Sequence, residues 1–369
     1  WLVVETRPCT TADCTVSAAE MPRCCWIMRP RREGTNRNEC LDWLHSTCTM
    51  NWQLAPIPVL PTLAMVSWCI LVTILVQMAE TNEWENQDNL HQILSFMILD
   101  TGTTTFLALS LILVLTMRVN QCYNRWWEGR QLWGSIVNRT RDLAGQARLW
   151  VSDCELQACI HRNIVAFVYA TKNKLRDEPG MQEMRAEKHV PGQVRLFDAE
   201  IQEAEDAEHM PVHILCVLRC CLSQAHARKL INDLQLLAMD RNVTSLTDSL
   251  GGCERIKKTP FPLSYVSHLR TFIILYLLLL PFMLVDKYRW MTILVDLLVC
   301  LALMGVEHMS AEIEQPFGHD FNDLKLDAIC ATIQTNIRQV SSFRQPLTLN
   351  GSLSNTSRTF PPPHVPLEV

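Results

Sequence analysis

The sequence predicts an all-α, polytopic membrane protein, and three observations carry that expectation. Four apolar windows stand out: Ile57 to Met78 has no charge, Ile93 to Met117 has only Asp100, Tyr265 to Val285 has only His268 and Arg270, and Trp290 to Val306 has only Asp296. A helix needs about 20 such residues to cross roughly 30 Å of hydrocarbon. Between the second and third windows, apolar residues recur at helical intervals of three and four. Finally, charge is unevenly shared among the connections. The linker after the first window carries Glu80, Glu83, Glu85 and Asp88 with no Lys or Arg, whereas Arg118, Arg125, Arg130, Arg139, Arg141 and Arg148 follow the second. The positive-inside rule puts that long segment and both termini on the cytoplasmic side, and the acidic linker outside.

Taken in order, residues 1–55 read as a cytoplasmic segment, truncated or carrying a targeting signal because it opens on Trp1. Residues 56–119 form the first transmembrane hairpin. Residues 120–260 form a cytoplasmic helical region. Within it, Val119 to Trp150 and Cys154 to Leu175 are helices, and Glu178-Pro179-Gly180 and Pro191-Gly192 frame a polar loop. Helical periodicity then returns from Pro211 to about Leu250, with Gly251-Gly252 expected to close it. Residues 261–310 form the second hairpin, 311–345 a C-terminal cytoplasmic segment and 346–369 a disordered tail containing Pro361-Pro362-Pro363. Sequons at Asn138, Asn242, Asn350 and Asn355 all fall on the inner side and are expected to stay unglycosylated.

Composition narrows the function classes. With 33 basic and 38 acidic residues and a net charge of −5, the chain is no global polyanion binder, and no nucleic-acid partner is expected. Sixteen cysteines in 369 residues are too sparse for a small disulfide scaffold, and none are spaced C-x-x-C, so they read as mostly reduced and structural. H-E-x-x-H, G-x-S-x-G and phosphate-loop patterns are missing, so an enzyme is not expected.

Three motifs carry more. Tyr123 to Ala144 reads YNRWWEGRQLWGSIVNRTRDLA, Gly251 to Tyr265 reads GGCERIKKTPFPLSY, and Glu312 to Asp327 reads EIEQPFGHDFNDLKLD. In this order around four spans, they resemble the bestrophin family of anion channels over roughly residues 56–339. The resemblance is closer to the bacterial, plant and protist branch than to the calcium-clasp animal branch. It implies a homopentamer in membrane lipid with one central pore lined by the second span. The pore would conduct chloride and other monovalent anions, bicarbonate among them in some lineages.

In the second span, Thr101, Thr105, Leu109, Leu113 and Met117 lie four apart on one helix row. Aligned on Arg118 and Tyr123, the family's hydrophobic neck falls on Leu109, Leu113 and Met117, with Thr101 and Thr105 as outer pore lining. Such rings gate by dewetting. Without the resemblance, the same stripe reads as a lipid-facing or packing face. The family's cytoplasmic aperture, counted back from Pro262 without gaps, falls on Leu234, where an ordinary core leucine is the competing reading. The Trp126, Trp127 and Trp133 block reads as fold-forming at the inner membrane interface, with Glu128 close to Arg125 and Arg130.

The family's calcium clasp maps onto Pro316-Phe317-Gly318 followed by His319, Asp320, Phe321, Asn322 and Asp323. Asp320, Asn322 and Asp323 supply too few oxygens for an ion that takes six to eight. No metal or other cofactor is therefore expected, and calcium activation is not. Asp320 and Asp323 are read instead as caps of a helix starting near Leu324. His308 with Glu307 and Glu312 resembles a metal trio but reads as a solvated inner mouth. Asp100 and Asp296 are read equally as structural or functional intramembrane acids. The alternatives to a pore are a coupled anion or bicarbonate transporter, which would show broken spans or repeats, and a non-conducting membrane scaffold. Plasma membrane, thylakoid and other organelles fit equally well.

Overall fold

The computed structural model describes residues 59–80, 101–185 and 196–343. The expectations for the N-terminal segment, the acidic linker, Asp100, Pro191-Gly192 and the tail lie outside those residues. All regular structure among the described residues is helical: α1 (Val59–Glu80), α2 (Thr101–Trp150), α3 (Cys154–Arg176), α4 (Gln182–Arg185), α5 (Asp198–Asp206), α6 (Met210–Ala227), α7 (Asp233–Lys258), α8 (Leu263–Tyr288), a 3₁₀ turn (Arg289–Met291), α9 (Thr292–Ile313) and α10 (Leu326–Ser341).

The described residues divide into two compact units, the first holding 59–80, 101–123, 261–314 and 319–322, the second holding 124–185, 196–260, 315–318 and 323–343. Long apolar stretches with membrane-crossing length are Val59–Met78, the start of α2 from Thr105, and Leu263–Ile313, the last being α8 and α9 joined by the 3₁₀ turn. In the first unit, Leu111 and Leu115 of α2 pack with Leu269, Ile273, Leu277 and Leu280 of α8 and with Cys300 of α9. Val72 and Val76 of α1 pack with Phe282 and Val285. Helix α8 continues through Pro281. Proline has no N–H for the Leu277 carbonyl; the next carbonyl, Leu278 O, accepts from Trp68 Nε1 at 3.0 Å, and the Trp68 ring meets Phe282 edge-on at 6.2 Å. Hydroxyls in these helices bond back one turn, Thr73 to Cys69 O and Thr116 to Ile112 O, which satisfies those O–H groups without water. Asp296 is buried beside Cys69.

The second unit is organised around α3. Every residue from Asn163 to Val168 and from Ala170 to Asn173 is buried, so this helix is covered on all sides, by α6, α7 and α10 among others. Asp153 caps it, its carboxylate accepting from Glu155 N at 2.9 Å and Leu156 N at 3.3 Å. Gln157 Nε2 donates to the Ala147, Arg148 and Val151 carbonyls at 3.1–3.2 Å, closing the end of α2. At the far end of α3, buried Lys172 pairs with Glu183, with Glu178 at 3.4 Å and with Asp327 at 2.9 Å, while Arg176 meets Asp327 at 2.6 Å.

Four expectations are corrected here. The second span and the following helix are one 50-residue helix, α2. The stretch from Pro211 breaks at residues 228–232: Leu230 N bonds Ala225 O across Lys229, which takes φ +56°, and Asn232 starts α7 in a capping box with Gln235. Gly251-Gly252 sits inside α7, because a Cβ at Gly252 would come within 2.8 Å of the Leu132 side chain of α2; the glycine permits close helix contact. Trp133 is also no interfacial residue. It is completely buried with Ile136 and Leu143, whereas Trp127 is exposed.

Candidate functional site

The predicted row on α2 stands on one face of the helix. Thr105 is exposed, and Leu109, Leu113 and Met117 are 65%, 63% and 57% exposed. On the other side of the same turns Leu111 and Leu115 are only 1% and 6% exposed. The packed side is thus used up within the unit, and the four-spaced row is left exposed, along with Phe106 and Ile112 beside it. Thr101 is the first residue of α2; its side chain lies outside the described set. At 1.5 Å per residue, successive members of the row are about 6 Å apart along the axis, and the Leu109–Met117 stretch spans about 12 Å.

Directly after Met117, Arg118 is completely buried. Its Nη2 lies 3.2 Å from Glu314 and 3.8 Å from Glu307, and its guanidinium stacks over the Phe261 ring at 5.5 Å. Arg270 donates to Glu307 at 2.7 Å, and Phe261 N donates to Glu314 at 3.0 Å. Tyr265 OH donates to the Val114 carbonyl at 3.2 Å. A buried charge is kept only when paired, so this network fixes the end of the apolar row against α8 and α9. Sequence reasoning counted Arg118 as a loop charge and missed it. The signal available was a lone Arg ending an apolar run, matched by Glu307 and Glu314 ending another.

The Trp-rich motif has a different task. Arg125 donates to the Thr259 and Ile256 carbonyls, both at 2.6 Å, and so closes the C-terminus of α7. Glu128, near Arg125 and Arg130 in sequence, pairs with Arg255 of α7. Gly129 leaves room for Phe317, whose ring would stand 3.2 Å from a Cβ there. The Phe of Pro316-Phe317-Gly318 therefore packs into the glycine of WWEG, and two of the sequence motifs meet.

Leu234 lies in the first turn of α7 and is 78% exposed, so it is not a core leucine within this chain. Asp320 is exposed, Phe321 offers no oxygen, and Asn322 donates both its backbone N–H and its amide Nδ2 to Glu312, at 3.3 and 3.0 Å. Asp323 is buried against Gly318, whose missing Cβ would stand 2.7 Å from its Oδ2. These acids do not cap a helix: α10 starts at Leu326 after Lys325, with no side-chain cap. Glu307 and Glu312 are committed to Arg118, Arg270 and Asn322, and no group of three or more His, Cys, Asp or Glu able to hold a metal exists among the described residues.

Residues 45–339 match the family described as Bacterial/Fungal Bestrophin protein. A voltage-dependent anion channel-forming protein of Nostoc sp. is 40% identical over 238 residues, covering 63% of this chain and 74% of that protein. A similarly named protein of Synechocystis sp. is 39% identical over 235 residues, covering 62% and 73%. Among solved structures, a point-mutant form of a bacterial bestrophin homologue from Klebsiella pneumoniae superposes with a TM-score of 0.68 at 26% identity, covering 77% of this chain and 99% of that one.

Proposed function

The chain belongs to the bestrophin family, and from that membership we propose that this integral membrane protein is a passive anion pore, formed by five copies around a central axis. Chloride and other monovalent anions, bicarbonate included, are its permeant species. The observation that carries the reading is the exposed row of Thr105, Leu109, Leu113 and Met117 on a helix whose opposite face is buried. Five such rows facing one axis make three stacked apolar rings, a constriction about 12 Å long whose barrier is the loss of anion hydration. Thr101 and Thr105 offer hydroxyls at the outer end. Leu234 provides a second apolar ring in the other unit, consistent with its exposure. With no ring of basic residues in the row, discrimination among anions is modest and favours those most easily dehydrated.

The test is electrical and structural together. The purified assembly should have a mass of about 210 kDa, five chains of 42.3 kDa, and should pass unitary anion currents in a planar bilayer. Replacing Leu109, Leu113 and Met117 together by Ala should enlarge the current and weaken gating while leaving anion-over-cation preference nearly unchanged. A stable monomer or dimer, or a triple variant that conducts and gates like the parent, contradicts the reading.

A further inference from the structure

Cys159 of α3 and Cys221 of α6 turn their sulfurs toward each other, with Sγ atoms 3.4 Å apart. The two helices pack along their length within the second unit, and all ten described cysteines are free thiols. Cys221 is buried and Cys159 is half-buried, so Cys159 is the member of the pair nearer solvent. Asn163 Nδ2 lies 3.5 Å from Cys159 Sγ, and the neighbouring Arg162 is held by Glu200 at 3.2 Å and by the Phe197 ring at 4.5 Å.

We propose that Cys159 and Cys221 are a reversible thiol–disulfide pair, oxidised by small-molecule disulfides, that clamps α3 to α6. A disulfide has its sulfurs about 2.05 Å apart, so each sulfur needs to move by only about 0.7 Å. The environment orders the two steps. The hydrogen bond from Cys221 lowers the Cys159 thiol pKa, with Arg162 and Asn163 acting in the same direction against burial and Glu200; the hydrogen bond to Cys159 and burial hold the Cys221 thiol up. Cys159 is therefore the attacking thiolate. It displaces one thiolate from the disulfide RSSR and becomes a mixed disulfide; Cys221 then loses its proton to that thiolate, attacks the Cys159 sulfur and expels the second. Two protein thiols and one RSSR give one protein disulfide and two RSH. Exposed Cys220, next in sequence to Cys221, and Cys216, one turn before it, are the competing thiols on α6.

The experiment treats the purified full-length assembly with oxidised glutathione, blocks remaining thiols with iodoacetamide and maps non-reduced peptides by mass spectrometry. The expected result is a cross-linked Cys159–Cys221 peptide pair, two hydrogens lighter than the reduced pair and reversed by dithiothreitol. Oxidation should raise the thermal midpoint of the parent and not of Cys159→Ser, and Cys221→Ser should trap Cys159 as its glutathione adduct. Cys159 and Cys221 both alkylated after oxidation, or Cys159 linked to Cys220 or Cys216, would overturn the proposal, and this mapping needs no variant to fold.

Discussion

Between Thr105 and Met117, α2 buries Leu111 and Leu115 but leaves Phe106, Leu109, Ile112, Leu113 and Met117 exposed; between Asn124 and Trp150 the same helix buries or half-buries its large apolar side chains, with Trp127 and Leu149 as exceptions. Leu109, Leu113 and Met117 stand out of the first unit, whereas Trp133, Ile136, Leu143 and Ala147 are sealed into the core of the second. Backbone geometry is common to both halves, so the difference lies in what each apolar residue was placed to meet. In water, an exposed leucine forfeits about 25 cal/mol for each Å² left unburied, and the second unit accordingly wraps its apolar residues around α3. In a membrane that penalty vanishes, and an apolar side chain is free to face lipid, a neighbouring subunit or a pore. Apolarity therefore identifies a core residue in the second unit and leaves the role open in the first, where only position in the row distinguishes one leucine from the next.

The most severe test of that contrast is a matched pair of truncations. Trp133→Ala empties a fully buried site and should cost roughly 3–5 kcal/mol, read as a lowered thermal midpoint of the purified assembly. Leu113→Ala should change stability by less than about 1 kcal/mol while altering the current. Equal losses of stability from the two would make the row a packing face.

Arg118→Ala probes the point where the exposed row ends. Removing a buried cation leaves Glu314 without that partner and should destabilise by about 3–5 kcal/mol; thermal unfolding checks it, and an unchanged midpoint would remove Arg118 from the framework that holds the row.

Acid should weaken the second unit through Lys172, Glu183 and Asp327. Hydrogen bonds from Lys172 hold the Glu183 carboxyl below its ordinary value despite burial, and those from Arg176 and Lys172 do the same for Asp327. Carboxyls depressed in the folded state contribute in full above their unfolded pKa values, about 4–4.5, and lose that contribution as pH falls through the folded values. Lys172, which burial alone would push down, is held up by the same bonds, so on the alkaline side the cluster persists until strong alkali, while in acid it is lost with its carboxylates. The thermal midpoint should thus drop below about pH 4, and Asp327→Asn should flatten that part of the profile.

Smaller effects come from the glycine pair of α7. Gly251→Ala adds a Cβ into open space and should stabilise by up to about 1 kcal/mol, whereas Gly252→Ala drives a Cβ against Leu132 and should lose about that much or more. Denaturant or thermal unfolding of the two variants gives opposite signs if Gly252 is there for helix contact. The smallest expected effect is that of calcium. Because Asn322 is engaged by Glu312 and Phe321 carries no oxygen, chelation should leave the current unchanged; a channel silent until micromolar calcium is restored would contradict this.

Much of this was readable from the chain, and the failures have physical causes. The four apolar windows and the limits of α3 were visible because hydropathy, helical spacing and the Glu178-Pro179-Gly180 break are local signals. The break after Ala227 was hidden because its left-handed residue is Lys229, not glycine, and because Leu230 and Ile231 continue the apolar pattern across the turn; the Asn232–Gln235 capping box was the overlooked mark. Gly251-Gly252 looked like a stop because a glycine that ends a helix and one that admits a neighbour have the same letter. Trp133 and Arg118 were misplaced because burial by distant elements leaves no periodic trace. The row of Leu109, Leu113 and Met117 was legible as a stripe, but its pore-lining role came from resemblance.

That role is tested most directly by Leu113→Cys, read by the effect of a charged, water-soluble thiol reagent on the anion current. The row account predicts that the reagent modifies Leu113→Cys and changes the current, while Leu111→Cys, on the buried side, responds no more than the parent. If Leu113→Cys responds no more than the parent while Leu111→Cys does, the pore is lined by the other face of α2 and the neck is not formed by Leu109, Leu113 and Met117.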